Sequence, residues 1–158
     1  MRVRELMQSK VETVKPGTSI VEMERKAIEF GMSGFPVVDG DALVGVVSRS
    51  DVVRALNVER SYEGQMSDFY GPSSSDSADD LSARGARIGA RIEGKKVSDV
   101  MSHQVISVAP DETVAAAART LVDKGIHRLP VTEKGRLVGI LTSLDIARAV
   151  AEGKLAAR

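Results

Sequence analysis

An internal duplication constrains this chain of 158 residues more than any other feature of its sequence. Residues 31–54 recur as residues 125–148, at an offset of 94 residues and without a gap. Fifteen positions are identical between residues 3–56 and 97–150, and they include prolines and glycines as well as apolar residues. Because turn residues are repeated together with core residues, both stretches are predicted to follow one backbone path.

Each repeat begins with the same two predicted elements. A short β-branched run, at 11–14 or 105–108, leads to a proline that stops strand pairing and prepares a helix start. Apolar residues at helical spacing then predict a helix with one buried face. The residues on that face are Ile20, Met23, Ala27 and Ile28 in repeat 1, and Val114, Ala117, Leu121 and Val122 in repeat 2.

The helix ends and the following elements are also marked in the sequence. The expected N-caps are Thr18 or Ser19 and Asp111 or Thr113. Gly31 and Gly125 follow the two helices, where a left-handed residue is favoured. Two β-branched runs joined by a turn then predict a hairpin, and a second helix is expected after Ser48 or Thr142. Each repeat is therefore a β-α-β-β-α unit, and the predicted fold class is α+β.

The composition argues against several classes of function. Basic and acidic residues balance at 22 each, so no global field favours nucleic acid or an anionic membrane. The absence of cysteine removes thiolate chemistry, and two histidines leave little for metal ligation or a catalytic triad. No stretch approaches the roughly 20 apolar residues of a membrane span. We expect a cytoplasmic protein that is not an enzyme, does not bind membranes and needs no metal to fold.

The segment between the repeats has a different character, which predicts three regions: repeat 1 at 1–56, an insertion at 57–96 and repeat 2 at 97–158. Residues 71–80 are polar and rich in turn formers, and we expect them to be mobile. Leu81, Ile88 and Ile92, with arginines between them, predict an amphipathic helix. That helix is interpreted as a linker, with a basic surface for a partner or nucleic acid as the less favoured alternative.

A hydroxyl and a carboxylate recur three residues apart, in GVVSRSD at 45–51 and GILTSLD at 139–145. At a helix start this spacing places the Ser48 or Thr142 hydroxyl beside the carboxylate of Asp51 or Asp145. An ionised Asp can accept hydrogen bonds from both hydroxyls of a ribose, and helix N-terminal N–H groups favour a phosphate. The alternative interpretation is a structural N-cap with a carboxylate stabilised by the helix dipole.

These two motifs, with a G-x4-P-V pattern before each, resemble a tandem pair of CBS domains, the cystathionine-β-synthase-type regulatory modules. The resemblance covers both repeats and extends to the nucleotide-sensing modules of the γ subunit of AMP-activated protein kinase. It implies repeats packed about a pseudo-twofold axis, with two clefts between them for an adenine nucleotide (AMP, ADP or ATP). It further implies an unidentified regulated protein and a homodimer built on helices 19–30 and 113–124, with the ends of 49–56 and 143–152 as further contacts. The open alternatives are S-adenosylmethionine or NADH as the ligand, or an interaction module with empty clefts.

Carried over residue by residue, the resemblance implies two unequal ligand sites. The first consists of Val46, Ser48, Ser50, Asp51, Val105, Ile106, Ile126, Arg128 and Pro130. The second consists of Lys10, Val11, Glu12, Met32, Gly34, Pro36, His127, Ile140, Thr142 and Asp145. The remaining candidate residues are Ser33, Gln104 and Leu144. Because Arg128 suits a phosphate and its counterpart Gly34 has no charge, the first site is expected to prefer the more phosphorylated ligand.

Overall fold

The structure is a computed structural model that describes residues 1–55, 90 and 92–155. The polar stretch at 71–80, expected to be mobile, and most of the predicted amphipathic helix lie outside these described residues. At the end of that helix, residues 92–93 are helical and Ile92 is buried. The described helices are a 3-10 turn (Val3–Glu5), α1 (Ile20–Phe30), α2 (residues 49–55), α3 (Val97–Val100), α4 (Val114–Lys124) and α5 (Ser143–Ala151). The strands are β1 (Gly34–Asp39), β2 (Ala42–Ser48), β3 (Arg128–Glu133) and β4 (Arg136–Thr142).

The chain divides into two compact units that interleave along the sequence. Unit 1 consists of Met1–Thr13, Val38–Gly45 and His103–Arg158. Unit 2 consists of Val14–Val37 and Val46–Ser102. Unit 1 therefore joins the first residues of repeat 1 to most of repeat 2.

Unit 1 is built on the antiparallel hairpin of β3 and β4, which pairs Arg128 with Thr142 and Glu133 with Arg136. Ala42 of β2 pairs with Arg136 on the other side of β4, also within this unit. The N-terminal segment also pairs beside β4, through two backbone hydrogen bonds of 2.9 Å between Gln8 and Ile140. The buried core beneath these elements consists of Val3, Val108, Ala117, Leu121, Leu129, Val131 and Leu141.

Residues 97–102, which follow the insertion, pair with earlier residues of unit 2. The backbone of Val97 donates to the carbonyl of Thr18 at 2.8 Å. Val46 and Ser102 then exchange backbone hydrogen bonds of 3.0 and 2.9 Å in an antiparallel bridge. Residues of repeat 2 thus complete the unit that contains α1, whose Met23 is fully buried.

Helix ends agree with the sequence in both repeats. The hydroxyl of Ser19 accepts from Glu22 N at 3.1 Å, and that of Thr113 accepts from Ala116 N at 3.2 Å, so these two of the candidate N-caps are confirmed. Gly31 and Gly125 end the helices at φ 61°, a left-handed conformation that glycine adopts without strain. The helices therefore start and stop where local chemistry predicts.

Two local expectations were wrong. The runs at 11–14 and 105–108 form only single parallel bridges, from Val14 to Val37 and from Val108 to Val131, instead of longer strands. Ile28 and Val122, assigned to the buried helix faces, are 71% and 79% exposed. At 3.6 residues per turn, each lies about 80° around the helix from the first residue of its apolar set, beyond the narrow stripe that is buried.

Candidate functional site

In repeat 1 the motif forms a closed hydrogen-bonded arrangement within unit 2. The Oδ2 atom of Asp51 accepts from the backbone N–H of Ser48 at 2.7 Å and from its hydroxyl at 2.9 Å. The Oδ1 atom accepts from Nη1 of Arg54 at 3.0 Å. The Asp51 side chain is 12% exposed and that of Arg54 is 72% exposed, so a solvated cation holds the second oxygen.

The motif of repeat 2 has the same geometry within unit 1 but a different third donor. Oδ2 of Asp145 accepts from the Thr142 N–H at 2.9 Å and from its hydroxyl at 2.6 Å, and this hydroxyl also accepts from Asp145 N at 3.1 Å. Oδ1 accepts from the side-chain amide of Gln8 at 2.8 Å. At 6% exposure, Asp145 is the one charged residue that is buried within the described part of the chain.

In both motifs the carboxylate accepts from the backbone N–H at the start of a helix, and in repeat 2 the hydroxyl also accepts from a helical N–H. The Thr142 pair is a capping box, in which the N-cap side chain and the third helical residue satisfy each other's backbone donors. A carboxylate offers about four acceptor positions, and three are occupied in each motif. A diol that binds either carboxylate must therefore share the last position or displace a present donor.

The other predicted site residues divide between the two units. Unit 2 contains Met32, Ser33, Gly34, Pro36, Val46, Ser48, Ser50 and Asp51. Unit 1 contains Lys10, Val11, Glu12, Gln104, Val105, Ile106, Ile126, His127, Arg128, Pro130, Ile140, Thr142, Leu144 and Asp145. Each predicted set thus draws on both units, and the complete sets remain predictions.

Within unit 1, the basic pair at 127–128 lies beside the second motif. Arg128 is the strand partner of Thr142 in the β3–β4 ladder and is half-buried. The backbone N–H of Ser143 donates to the carbonyl of His127 at 3.0 Å. The structure therefore brings a guanidinium-bearing residue and the hydroxyl of the repeat 2 motif onto neighbouring strands.

Gly34 occupies the corresponding place in unit 2 for a steric reason. A Cβ atom at this residue would lie 2.6 Å from the carbonyl oxygen of Val47 and 3.1 Å from Cα of Ser48. Both are backbone atoms of the facing strand, so they cannot move aside as a flexible side chain would. The missing charge in repeat 1 therefore follows from a close approach of β1 and β2 that admits only glycine.

Sequence reasoning missed two residues that contact the motif carboxylates, Arg54 and Gln8. Arg54 had a usable signal, because it lies three residues after Asp51 on the same helix and the spacing recurs in Arg148. No sequence signal pointed to Gln8, because it lies 137 residues from Asp145 and the repeats do not share it, its counterpart in repeat 2 being Ser102.

A cavity of about 470 Å³ lies next to the second motif, within unit 1. Its lining consists of Leu6, Gln8, Asp145, Arg148, Ala149, Glu152 and Lys154. Lys154 donates to the Glu152 carboxylate at 2.6 Å, and this hydrogen bond lowers the pKa of Glu152 below its usual value. In the described residues, no three histidine or acidic side chains converge as a metal site would require, and no helix is long and apolar enough to cross a bilayer.

Comparison with known proteins identifies the family. The profile of the CBS domain matches residues 3–58 and 97–152. The uncharacterized protein MJ1225 of Methanocaldococcus jannaschii is 31% identical over 147 residues, which cover 92% of this chain and 41% of that protein. MJ1426 of the same organism is 29% identical over 158 residues, covering 95% of this chain and 91% of the relative.

Solved structures show the same architecture. The structure of CBSX2 from Arabidopsis thaliana in complex with AMP matches with a TM-score of 0.71 and 28% identity, over 98% of both chains. The structure of MJ1225 matches with a TM-score of 0.73 and 19% identity, over 94% of this chain and 47% of that one, and shows the fold alone. The chain spans less than two thirds of the length of the first curated relatives that it matches. Together with the two capping motifs, the paired profile matches show that the chain belongs to the CBS domain family and carries two copies of the domain.

Proposed function

We propose that this chain is a regulatory module without catalytic activity of its own, which binds an adenosine-containing ligand such as AMP, ADP or ATP. The observation that carries the proposal is the duplicated hydroxyl–carboxylate pair, Ser48 with Asp51 and Thr142 with Asp145, each at the start of a helix after a strand. The relative CBSX2 was solved in complex with AMP at 28% identity, which supports a ligand of this class.

The proposed recognition separates sugar from phosphate. The carboxylates of Asp51 and Asp145 accept hydrogen bonds from ribose hydroxyls, because an ionised carboxylate is an acceptor only. Arg128 supplies a planar donor for a phosphate, which a neutral nucleoside lacks. S-adenosylmethionine and NADH share the ribose and belong in the same titration series. Binding regulates a partner only if the ligand has different affinities for two conformations of the protein.

The test replaces each motif aspartate by asparagine, which keeps one acceptor oxygen for the helix cap but removes the charge. Asp51→Asn and Asp145→Asn should each lose a charge-assisted hydrogen bond worth about 1.5–3 kcal/mol. The affinity for adenosine or AMP at that site, measured by calorimetry, should fall by roughly one to two decades.

Asp99→Asn is the matched control. Asp99 accepts from the backbone N–H of Lys96 at 2.7 Å at the start of α3, in the same capping role, but no Ser or Thr hydroxyl stands at the cap. It should leave ligand affinity unchanged. The proposal fails if the double variant of Asp51 and Asp145 binds as the wild type does, or if Asp99→Asn weakens binding equally.

A further inference from the structure

The two motif aspartates differ in the group that occupies their second carboxylate oxygen. In repeat 1 this group is Arg54, three residues along the same helix, at 3.0 Å. In repeat 2 it is the amide of Gln8, from the start of the chain, at 2.8 Å. Because the sequence provides an arginine at the same position in both repeats, the exchange of partner is specific to Asp145.

The backbone of Gln8 is fixed beside this carboxylate. Its N–H and carbonyl form 2.9 Å hydrogen bonds with Ile140, two residues before Thr142. Gly139 allows the approach, since a Cβ there would lie 2.6 Å from the sulfur of Met7 and 3.0 Å from the carbonyl oxygen of Gln8. The backbone that bears the amide is thus held next to Asp145 by a single antiparallel bridge.

Both carboxylates are largely buried, and the donors to their second oxygens differ in how they are held. Asp145 is 6% exposed, and the more exposed Gln8 lines the 470 Å³ cavity together with it. A hydrogen bond to a buried carboxylate is stronger than one in water because the local dielectric is lower. Arg54 can instead exchange this contact for water, because its side chain is already 72% exposed.

We propose that Gln8 competes with the ribose of a bound ligand for Oδ1 of Asp145, so that the Asp51 site fills before the Asp145 site. The inference rests on the proposed function, because it assumes that ribose hydroxyls use these carboxylates. Three of about four acceptor positions on each carboxylate are already occupied, so a diol that uses both of its hydroxyls finds one open position and gains the second by displacing the third donor. At Asp51 that donor is a solvated arginine, and at Asp145 it is an anchored amide.

The test is an adenosine titration of the full chain by calorimetry in an Asp51→Asn background, where only the Asp145 site retains its carboxylate. Adding Gln8→Ala should raise the remaining affinity roughly threefold to tenfold, the gain from removing one competing hydrogen bond. The matched comparison is Arg54→Ala in an Asp145→Asn background, which should change the Asp51 affinity less than threefold. If Gln8 were only structural, its loss would lower ligand affinity and not raise it.

The side chain of Gln8, the proposed competitor, can also be monitored directly. The side-chain amide signals of Gln8 should show slow exchange with water by NMR in the free protein, and saturating adenosine should release them to fast exchange. Unchanged signals with the Asp145 site occupied would overturn the inference.

The outcomes separate this inference from the proposed function. If adenosine binds the wild type but Gln8→Ala leaves the Asp145 affinity equal or lower, the competition is refuted and the proposed function stands. If neither the wild type nor Gln8→Ala binds adenosine or AMP, the proposed function fails and the competition fails with it. If Gln8→Ala binds at Asp145 where the wild type does not, the competition is supported.

Discussion

The substitution Gly34→Ala adds only one methyl group, but we expect it to destabilise the protein strongly. The new Cβ would lie 2.6 Å from the Val47 carbonyl oxygen, whereas ordinary van der Waals contact begins at 3.4 Å, so β1 and β2 must separate locally by about 0.8 Å. Overpacking of this kind costs typically 1–3 kcal/mol, and the upper part of this range applies because the opposing atoms are backbone. We therefore expect a loss of about 2–3 kcal/mol, or a fall in Tm of roughly 4–12 °C for a chain of this size.

Differential scanning calorimetry of the ligand-free protein measures this effect. Gly17→Ala is the matched control, because a Cβ at Gly17 would meet no atom within 4 Å. Both substitutions restrict the unfolded chain to the same extent, so their difference isolates the clash in the folded state. If Gly34→Ala melts within about 1 °C of Gly17→Ala, the close approach of the two strands does not explain why glycine stands opposite Arg128 in the alignment of the repeats.

Two further predictions concern ligand charge and assembly. Arg128→Ala should weaken ATP binding more than adenosine binding, because a guanidinium can pair with a phosphate; the family resemblance implies that the loss falls mainly at the Asp51 site. Added salt should bring the wild type toward the variant, and equal losses for both ligands would assign Arg128 a structural role. The exposed apolar residues Ile28 on α1 and Val122 on α4 support the predicted homodimer. Sedimentation should show a dimer at tens of micromolar, and Ile28→Lys or Val122→Lys should shift it to monomer. A monomeric wild type would contradict the prediction.

Features fixed by a few neighbouring residues could be predicted from the sequence. Ser19 and Thr113 cap helices because their hydroxyls reach a backbone N–H three residues ahead, and Gly31 and Gly125 end them because glycine tolerates a left-handed conformation. Ile28 shows where this reasoning fails. Apolar spacing does not reveal how wide a stripe the neighbouring elements will cover, so its exposure follows from packing beyond the helix.

In the candidate site, too, contacts between neighbouring residues could be predicted and contacts between distant residues could not. The Ser48–Asp51 and Thr142–Asp145 pairs were visible, since each spans three residues. The Gln8 contact was not, because no local pattern places an amide from the start of the chain next to a helix near its end. The necessity for Gly34 was hidden for a similar reason, as it depends on how closely two strands approach.

The interleaving of the two units has a consequence for how the protein can be dissected and synthesised. The bridge between Gln8 and Ile140 cannot form until β4 has left the ribosome, so the segment around Gln8 stays without this partner while the chain from repeat 1 to β4 is synthesised. Contacts between residues so far apart in sequence form slowly, because the chain loses conformational entropy before the contacts contribute stabilising free energy. A cut between the repeats would leave the first fragment without residues up to Ser102 that complete unit 2, and the second without the Met1–Thr13 segment of unit 1. Neither half-chain contains a complete compact unit.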